Sequence, residues 1–166
     1  MDAEDLGDTN SMMTYVYNGV DEVPMNVTHV RVDPSVTIIH MRTFYNRQEL
    51  QEVELPEGLI IIDDQAFYNC KSLKGINIPS SLLEIGVKAF AKCQKLEQIV
   101  LLESLQTLGR YAFHQCESLQ TINIPVQEIE MCTFGHCYSL TEVLFSEHVK
   151  VIGKMAFKFN SMIADL

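Results

Sequence analysis

The sequence predicts an α/β repeat solenoid, in which each unit of about 23 residues adds one short parallel β-strand to a stack. Six phenylalanines mark the units: Phe44, Phe67, Phe90, Phe113, Phe134 and Phe157. The intervals between them are 23, 23, 23, 21 and 23 residues. Such a period is typical of stacked units, because a single unit cannot bury its own apolar residues.

Each unit carries two apolar residues separated by one position, which is the pattern of a strand with one buried face. These pairs are Val53/Leu55, Ile76/Ile78, Ile99/Leu101, Ile122/Ile124 and Val143/Phe145. Pro56, Pro79 and Pro125 end three of them, because proline has no N–H to donate to a strand ladder. No window has a sustained helical stripe, so we predict that the rest of each unit returns through loops, 3₁₀ turns or a brief helix around the phenylalanine.

The full repeat reads Leu-x-x-Ile-x-Ile-Pro, then Leu-x-x-Ile-Gly-x-x-Ala-Phe-x-x-Cys, and is clearest from Lys74 to Cys116. This pattern resembles the BspA-like leucine-rich repeat family over about Val36 to Ile163. The resemblance implies a leucine-rich-repeat-like solenoid. It also implies a binding or adhesion module, of the kind found in bacteria and many single-celled eukaryotes.

We predict three segments. Residues 1–13 are acidic and polar and are expected to form a disordered tail. Residues 14–35 are expected to be an amino-terminal cap or degenerate repeat, because Asp21 stands where the phenylalanine belongs. Residues 36–166 are expected to be the array of about six units, the last incomplete. Its apolar end indicates either a truncated array or an end-to-end contact, such as a homodimer.

Composition limits the class of partner and the compartment. A net charge of −10 and a pI near 4.8 argue against a nucleic-acid partner. No apolar stretch approaches the roughly 18 residues of a membrane span, so no membrane partner is expected. The first residues lack the basic and apolar regions of a secretory signal. The sequence therefore predicts a cytoplasmic protein, or a cell-surface protein if the start is incomplete.

Four cysteines stand three residues after a repeat phenylalanine: Cys70, Cys93, Cys116 and Cys137. Such a column predicts a ladder of buried, reduced thiols, because cysteine is a small and frequently buried residue. Arg47 and Asn160 occupy the same column in the outermost units. Cys132 lies outside the column, at a position that is mostly polar in the other units, and is expected at the surface.

Motifs that carry catalysis or bind cofactors are missing from the sequence, including the P-loop, G-x-G-x-x-G, H-E-x-x-H and G-x-S-x-G. His114 with Cys116, beside His136 with Cys137, could in principle bind zinc. Both cysteines belong to the core column, however, so their sulfur atoms should point away from the histidines. We therefore predict no metal, no cofactor and no enzymatic activity.

Residues that point outward from the predicted strands form columns on one sheet face, free of the packing constraint of the repeat. This predicted partner-binding face comprises Glu52, Glu54, Asn77, Gln98, Val100, Thr121, Asn123, Glu142 and Leu144. Val100 and Leu144 are apolar at outward positions, as anchors of binding surfaces are.

Three functions remain open at this point. The first is a scaffold or recognition module that presents the sheet face to a protein or peptide. The second is a cell-surface adhesion or ligand-binding module, which the family resemblance implies. The third is a structural array fragment with no partner of its own.

Overall fold

The computed structural model describes residues 14–160, and in this range it contains β-strands joined by turns and no helix. The strands are β1 (Tyr15–Tyr17), β2 (His29–Val32), β3 (Ile38–Ile39), β4 (Glu52–Glu54), β5 (Ile61–Ile62), β6 (Glu84–Ile85), β7 (Thr107–Leu108), β8 (Thr121–Ile124), β9 (Glu128–Ile129), β10 (Glu142–Phe145) and β11 (Val151–Ile152). The predicted parallel repeat solenoid is confirmed. The helical part of the α/β prediction is wrong for these residues, because the returns are hydrogen-bonded turns.

The strands belong to two walls of the solenoid. The first wall, called the first sheet, contains β1, β2 and β4 and, further along, the pair β8 and β10. The second sheet contains β3, β5, β6 and β7, followed by the pair β9 and β11. All pairs are parallel, and the register advances by one repeat, as in His29 opposite Glu52. Each unit therefore uses two strand positions, where one was predicted.

The turns around the phenylalanines form a third wall with a hydrogen-bond ladder of its own. At each junction of two units, three N–H groups donate to carbonyls of the next unit at 2.8–3.3 Å. They belong to the phenylalanine, to the residue two before it and to the residue two after it. The two flanking residues have positive φ in every unit, for example Lys88 (57°) and Lys92 (64°). Every second N–H group of the turn therefore points towards the neighbouring unit, so hydrogen bonds join the units on this wall without a helix or a strand.

The repeat phenylalanines form the core as a continuous ring stack. Neighbouring rings from Phe44 to Phe157 lie 4.9–5.5 Å apart and are tilted by no more than 8°. The aliphatic positions of the repeat pack around this stack in one hydrophobic cluster. Burying the same face in every unit makes the stability of the array a sum over its junctions.

The predicted cysteine column is buried beside the phenylalanine stack. Each thiol contacts the carbonyl of the preceding unit's phenylalanine, from Cys70 with Phe44 (3.1 Å) to Cys137 with Phe113 (3.2 Å). Burial raises the pKa of Cys70 and of Cys137 to about 12, and it raises the pKa of Cys93 and Cys116 well above the ordinary range. The column is therefore held as neutral thiols.

The outermost units replace cysteine by residues that complete hydrogen bonds. The Arg47 guanidinium is buried and donates to the carbonyls of Val23 and Tyr45, joining the first unit to the segment before it. The Asn160 side chain is also buried, and its Oδ1 accepts from the Cys137 N–H at 3.0 Å. The predicted tail (1–13) and the last residues of the predicted array (161–166) lie outside the described residues.

Candidate partner-binding face

The structure places the nine predicted face residues along the outer side of the first sheet. Eight of them are exposed, and Asn123 is half-buried. Val100 and Leu144 are 62% and 56% exposed. The outward orientation assigned from the period-2 pattern is therefore correct for the column as a whole.

The first sheet is open in the middle of this face. Between β4 and β8, the units are joined at the start of each expected strand. There the N–H groups of Lys74, Glu97 and Gln120 donate to carbonyls of the preceding unit at 2.9–3.3 Å. Beyond a bridge between Gly75 and Gln98, no backbone–backbone hydrogen bond joins residues 77–78 or 100–101 to a neighbouring unit. We call this gap, lined by residues 75–78 and 98–101, the seam.

The other two walls stay closed across the same units. In the second sheet, β5, β6 and β7 remain paired, and the turn ladder continues without a break. The units are thus joined by complete ladders on two sides and by an incomplete ladder on the third. At the seam, part of the strand backbone lacks the partners that a regular ladder would provide.

Asn123 closes part of the seam with its side chain. Its Oδ1 accepts from the Leu101 N–H at 3.0 Å, and its Nδ2 donates to the Leu101 carbonyl. The amide thus makes the two hydrogen bonds that a neighbouring strand would make. Asn77 occupies the same position two units earlier and is exposed. Its side chain has no hydrogen bond among residues 14–160.

The seam opens into a groove of about 510 Å³ with an acidic margin. Glu52 and Glu54 lie on the β4 side and Val100 on the other. His29, in the strand next to β4, reaches within 3.7 Å of the Glu52 carboxylate and is mostly buried. This surface combines unpaired backbone groups, an apolar side chain and carboxylates.

The second sheet has its own interruption, between β7 and β9. It coincides with the unit that is two residues shorter than the others, where Pro125 is followed closely by β9. No strand pairing joins β7 to β9, and the gap is a groove of about 580 Å³. The opening thus lies at the unit with the 21-residue interval.

The histidine and cysteine positions considered for zinc point to different places. The sulfur atoms of Cys116 and Cys137 contact buried carbonyls, whereas the rings of His114 and His136 meet edge to face at 5.1 Å on the turns. Residues 14–160 contain no group of three or more side chains suited to holding a metal ion. Cys132 is buried rather than exposed, and its expected surface position is wrong.

Comparison with protein families gives the identity of the repeat. The family model described as BspA type leucine-rich repeat region matches in six copies, over residues 23–126 and 84–166. The chain belongs to this family. Proteins of this repeat type are in general protein-binding or surface proteins, and the fold is in general non-enzymatic.

Solved structures agree with this assignment. The chain is similar to a leucine-rich repeat protein of T. pallidum, with 28% identity and a TM-score of 0.76 over 84% of this chain and 72% of that one. It also resembles a leucine-rich cell surface protein of Faecalibacterium prausnitzii, with 32% identity and a TM-score of 0.69 over 90% of this chain. That match spans 42% of the F. prausnitzii chain.

A leucine-rich repeat protein of Eubacterium ventriosum shares the fold, with 17% identity and a TM-score of 0.65 over 82% of this chain and 44% of that one.

Comparison with the curated proteins gives no match. Within residues 14–160 no helix could cross a lipid bilayer.

Two features of the site could not be found from the sequence. The seam has one weak signal, Gly75, which is the smallest residue in its outward column. The second is a cluster of basic and aromatic residues on the turns, with Tyr45 and Tyr68 stacked at 5.1 Å. It was hidden because these positions vary from unit to unit and come together only when the units stack.

Proposed function

We propose that this chain is a non-catalytic interaction module whose sheet face binds an extended segment of a protein partner at the seam. The observation that carries the proposal is the strand backbone without backbone partners at residues 77–78 and at the exposed Val100. An extended peptide that meets such a row gains main-chain hydrogen bonds, and side-chain pockets then select its sequence.

The Asn123 contact indicates how such a segment would bind. An amide group bonded to both the N–H and the carbonyl of Leu101 is equivalent to one peptide unit of an added strand. The backbone of residues 77–78 offers the same groups one unit earlier, and the exposed Asn77 amide offers a further donor and acceptor. The seam therefore suits a ligand with a regular series of amides.

The charge of the margin indicates which side chains the partner would carry. Glu52 and Glu54 favour a lysine or arginine, and Val100 favours an apolar residue on the same face of the bound segment. We therefore expect an extended basic-apolar segment, and no nucleic acid or membrane.

The test is affinity capture from native lysate with wild type, Val100→Lys and Leu144→Lys compared in parallel. Leu144 is the matched control, because it lies in the same column, is similarly exposed and is distant from the seam along the array. We expect one protein to be retained by wild type and Leu144→Lys and lost by Val100→Lys. A synthetic peptide from that protein should then bind the purified chain.

Other outcomes would relocate or remove the site. Loss with both variants would extend the site over the whole column and contradict a seam-specific site. Retention by both would exclude the sheet face. Capture of nothing by wild type would favour the structural array fragment.

An adhesion module is the second candidate, favoured by the likeness to the F. prausnitzii cell surface protein. The two candidates differ in compartment. The interaction module as proposed acts in the cytoplasm, and an adhesin acts at the cell surface. Surface labelling of a tagged full-length protein in intact cells would separate them: labelling supports adhesion, and protection from label supports the intracellular module.

Self-association is a further proposal and concerns the last described unit. The exposed side of β10 and β11 carries Leu144, Val151 and Ile152 at 46–56% exposure, and an open edge with apolar side chains pairs readily with another edge. We propose an end-to-end homodimer through this unit. Sedimentation at several concentrations tests it, and a single monomeric species at high concentration would rule it out.

A further inference from the structure

The turns carry a charge opposite to that of the rest of the chain. We define the turn face as the residues from three before to two after each repeat phenylalanine. It contains six of the chain's 12 lysines and arginines and one of its 22 acids. The six cations are Arg42, Lys88, Lys92, Arg110, Lys154 and Lys158. The turn face thus has a formal charge of +5 on a chain of −10.

These cations are available to a ligand. Four are exposed and two are half-buried. None of the six forms a salt bridge with another residue of the range 14–160, although Asp63 and Glu130 lie one position outside the turn face. The single acid within it, Asp64, uses its carboxylate to accept from the Val87 N–H at 2.6 Å. A row of unneutralised cations in an acidic protein attracts anions selectively to one side.

The aromatic rings among the cations already have protein neighbours. Tyr45 and Tyr68 stack on each other, with the Arg42 guanidinium 5.5 Å from the first ring and the Lys92 ammonium 5.4 Å from the second. The Lys88 ammonium lies 5.5 Å from the Tyr111 ring, which meets the His114 ring edge to face at 5.4 Å. Recognition of nucleic-acid bases needs free ring faces for stacking. The turn face therefore suits a ligand that is recognised by its charge.

We propose that the turn face is a second binding site, which takes an extended acidic segment of a polypeptide. An extended chain rises about 3.3 Å per residue and so presents side chains on one side about every 6.6 Å. Successive rows of the turn face follow at the spacing of the stacked rings, 4.9–5.5 Å. The two spacings do not match step for step, but the six cations lie in four of the six units, so an acidic segment with flexible side chains that runs along the solenoid passes several of them.

The probe is a fluorescently labelled deca-glutamate peptide, whose binding to the full-length protein is measured by anisotropy at low and at physiological salt. The test variant is Lys88→Gln/Lys92→Gln/Lys158→Gln. The control, Lys74→Gln/Lys95→Gln/Lys150→Gln, removes three exposed charges outside the turn face. We expect the test variant to bind about tenfold more weakly and the control within about twofold of wild type, with binding weakened by salt.

Thermal melting confirms that both variants are folded before their binding is compared. Equal losses in the two variants would show attraction by overall charge and overturn the proposal, as would absence of wild-type binding at low salt. Tighter binding of an oligouridylate or a sulfated oligosaccharide of equal charge, with the same sensitivity to the test variant, would overturn the choice of ligand. The Val100→Lys variant should bind the probe like wild type, because this site does not depend on the sheet face.

Discussion

The first sheet and the turn ladder join the same repeats, yet the sheet opens into the seam while the turn ladder is continuous. The sheet face is acidic around Glu52 and Glu54, and the turn face is basic. In the sheet, hydrogen bonding requires neighbouring strands to lie about 4.8 Å apart along their whole length. In the turns, three N–H groups per unit donate to the next unit at every junction from Phe44 to Phe157, so the turn ladder does not depend on long paired strands.

The comparison shows where this fold allows its surface to vary. The turn ladder depends on backbone conformation and on the buried phenylalanine, so the outward side chains of the turns can change freely in charge. The same holds for outward positions of the sheet, with one exception. At the seam, the Asn123 side chain makes hydrogen bonds that a neighbouring strand would otherwise make. This outward residue therefore stabilises the fold in addition to forming part of the surface.

The largest expected effect comes from the core below both faces. Phe113 lies between Phe90 and Phe134, with ring centroids 5.3 and 5.5 Å away, and is fully buried. Phe113→Ala should lower the free energy of unfolding by roughly 3–5 kcal/mol, because it removes buried contacts and leaves a cavity. Chemical denaturation measures it. Val100→Lys is the surface control and should change the stability little; a loss as large as that of Phe113→Ala would mean that Val100 is packed.

A smaller effect is expected from the amide that spans the seam. Asn123→Ala leaves the Leu101 N–H and carbonyl without partners and should cost about 1–3 kcal/mol. Asn77→Ala makes the same change two units earlier, at an exposed side chain with no hydrogen bond among residues 14–160, and should be nearly neutral. Equal losses in denaturation of the two variants would contradict the bridging role of Asn123.

The sequence was sufficient to predict the solenoid, the buried phenylalanine and cysteine columns and the outward face. It succeeded because each of these features repeats in phase, so that six weak signals add to one strong signal. The second strand of each unit was missed, because two residues such as Glu84 and Ile85 are too short to display a period. The turn conformation was missed because left-handed backbone normally indicates glycine, and here residues such as Lys88 and Gln115 adopt it.

The seam and the basic turn face lay beyond sequence analysis for another reason. Both depend on how neighbouring units are placed, and the sequence of one unit does not contain that information. Gly75 marks the seam only weakly, and the burial of Cys132 has no sequence signal. The charge of the turn face could have been counted from the sequence once the turns were recognised as a surface of their own.

The backbone conformation differs between the two faces, so substitution by valine should lower the stability on the turn face and leave it unchanged on the sheet face. Gln115 in the turn has φ of 61°, a conformation that β-branched residues strongly disfavour, whereas Gln98 lies in extended chain. Gln115→Val should cost about 1–2 kcal/mol, and Gln98→Val should be neutral within about 0.5 kcal/mol. The two melting curves test this directly. Similar curves would mean that the turn relaxes to accept valine.

The smallest expected effect is a pH dependence that arises on the turn face alone. Burial of His114 lowers its pKa below the ordinary value of 6.5, and the charges of His136, Lys88 and Lys92 act in the same direction. The unfolded chain therefore takes up the His114 proton more readily than the folded one. The contribution of His114 to stability should be constant above its unfolded pKa and should decrease as the pH falls from about 6.5 towards the lower, folded value.

His114→Gln should remove part of this decrease, and His148→Gln, which replaces an exposed histidine, should leave it unchanged. Denaturation midpoints between pH 8 and pH 5 measure both. A decrease that persists unaltered in His114→Gln would assign the proton uptake to other groups. If the decrease is lost, the proton uptake is assigned to His114 on the turn face. Each proton added there joins a surface that is already positive, whereas on the sheet face it would neutralise a carboxylate.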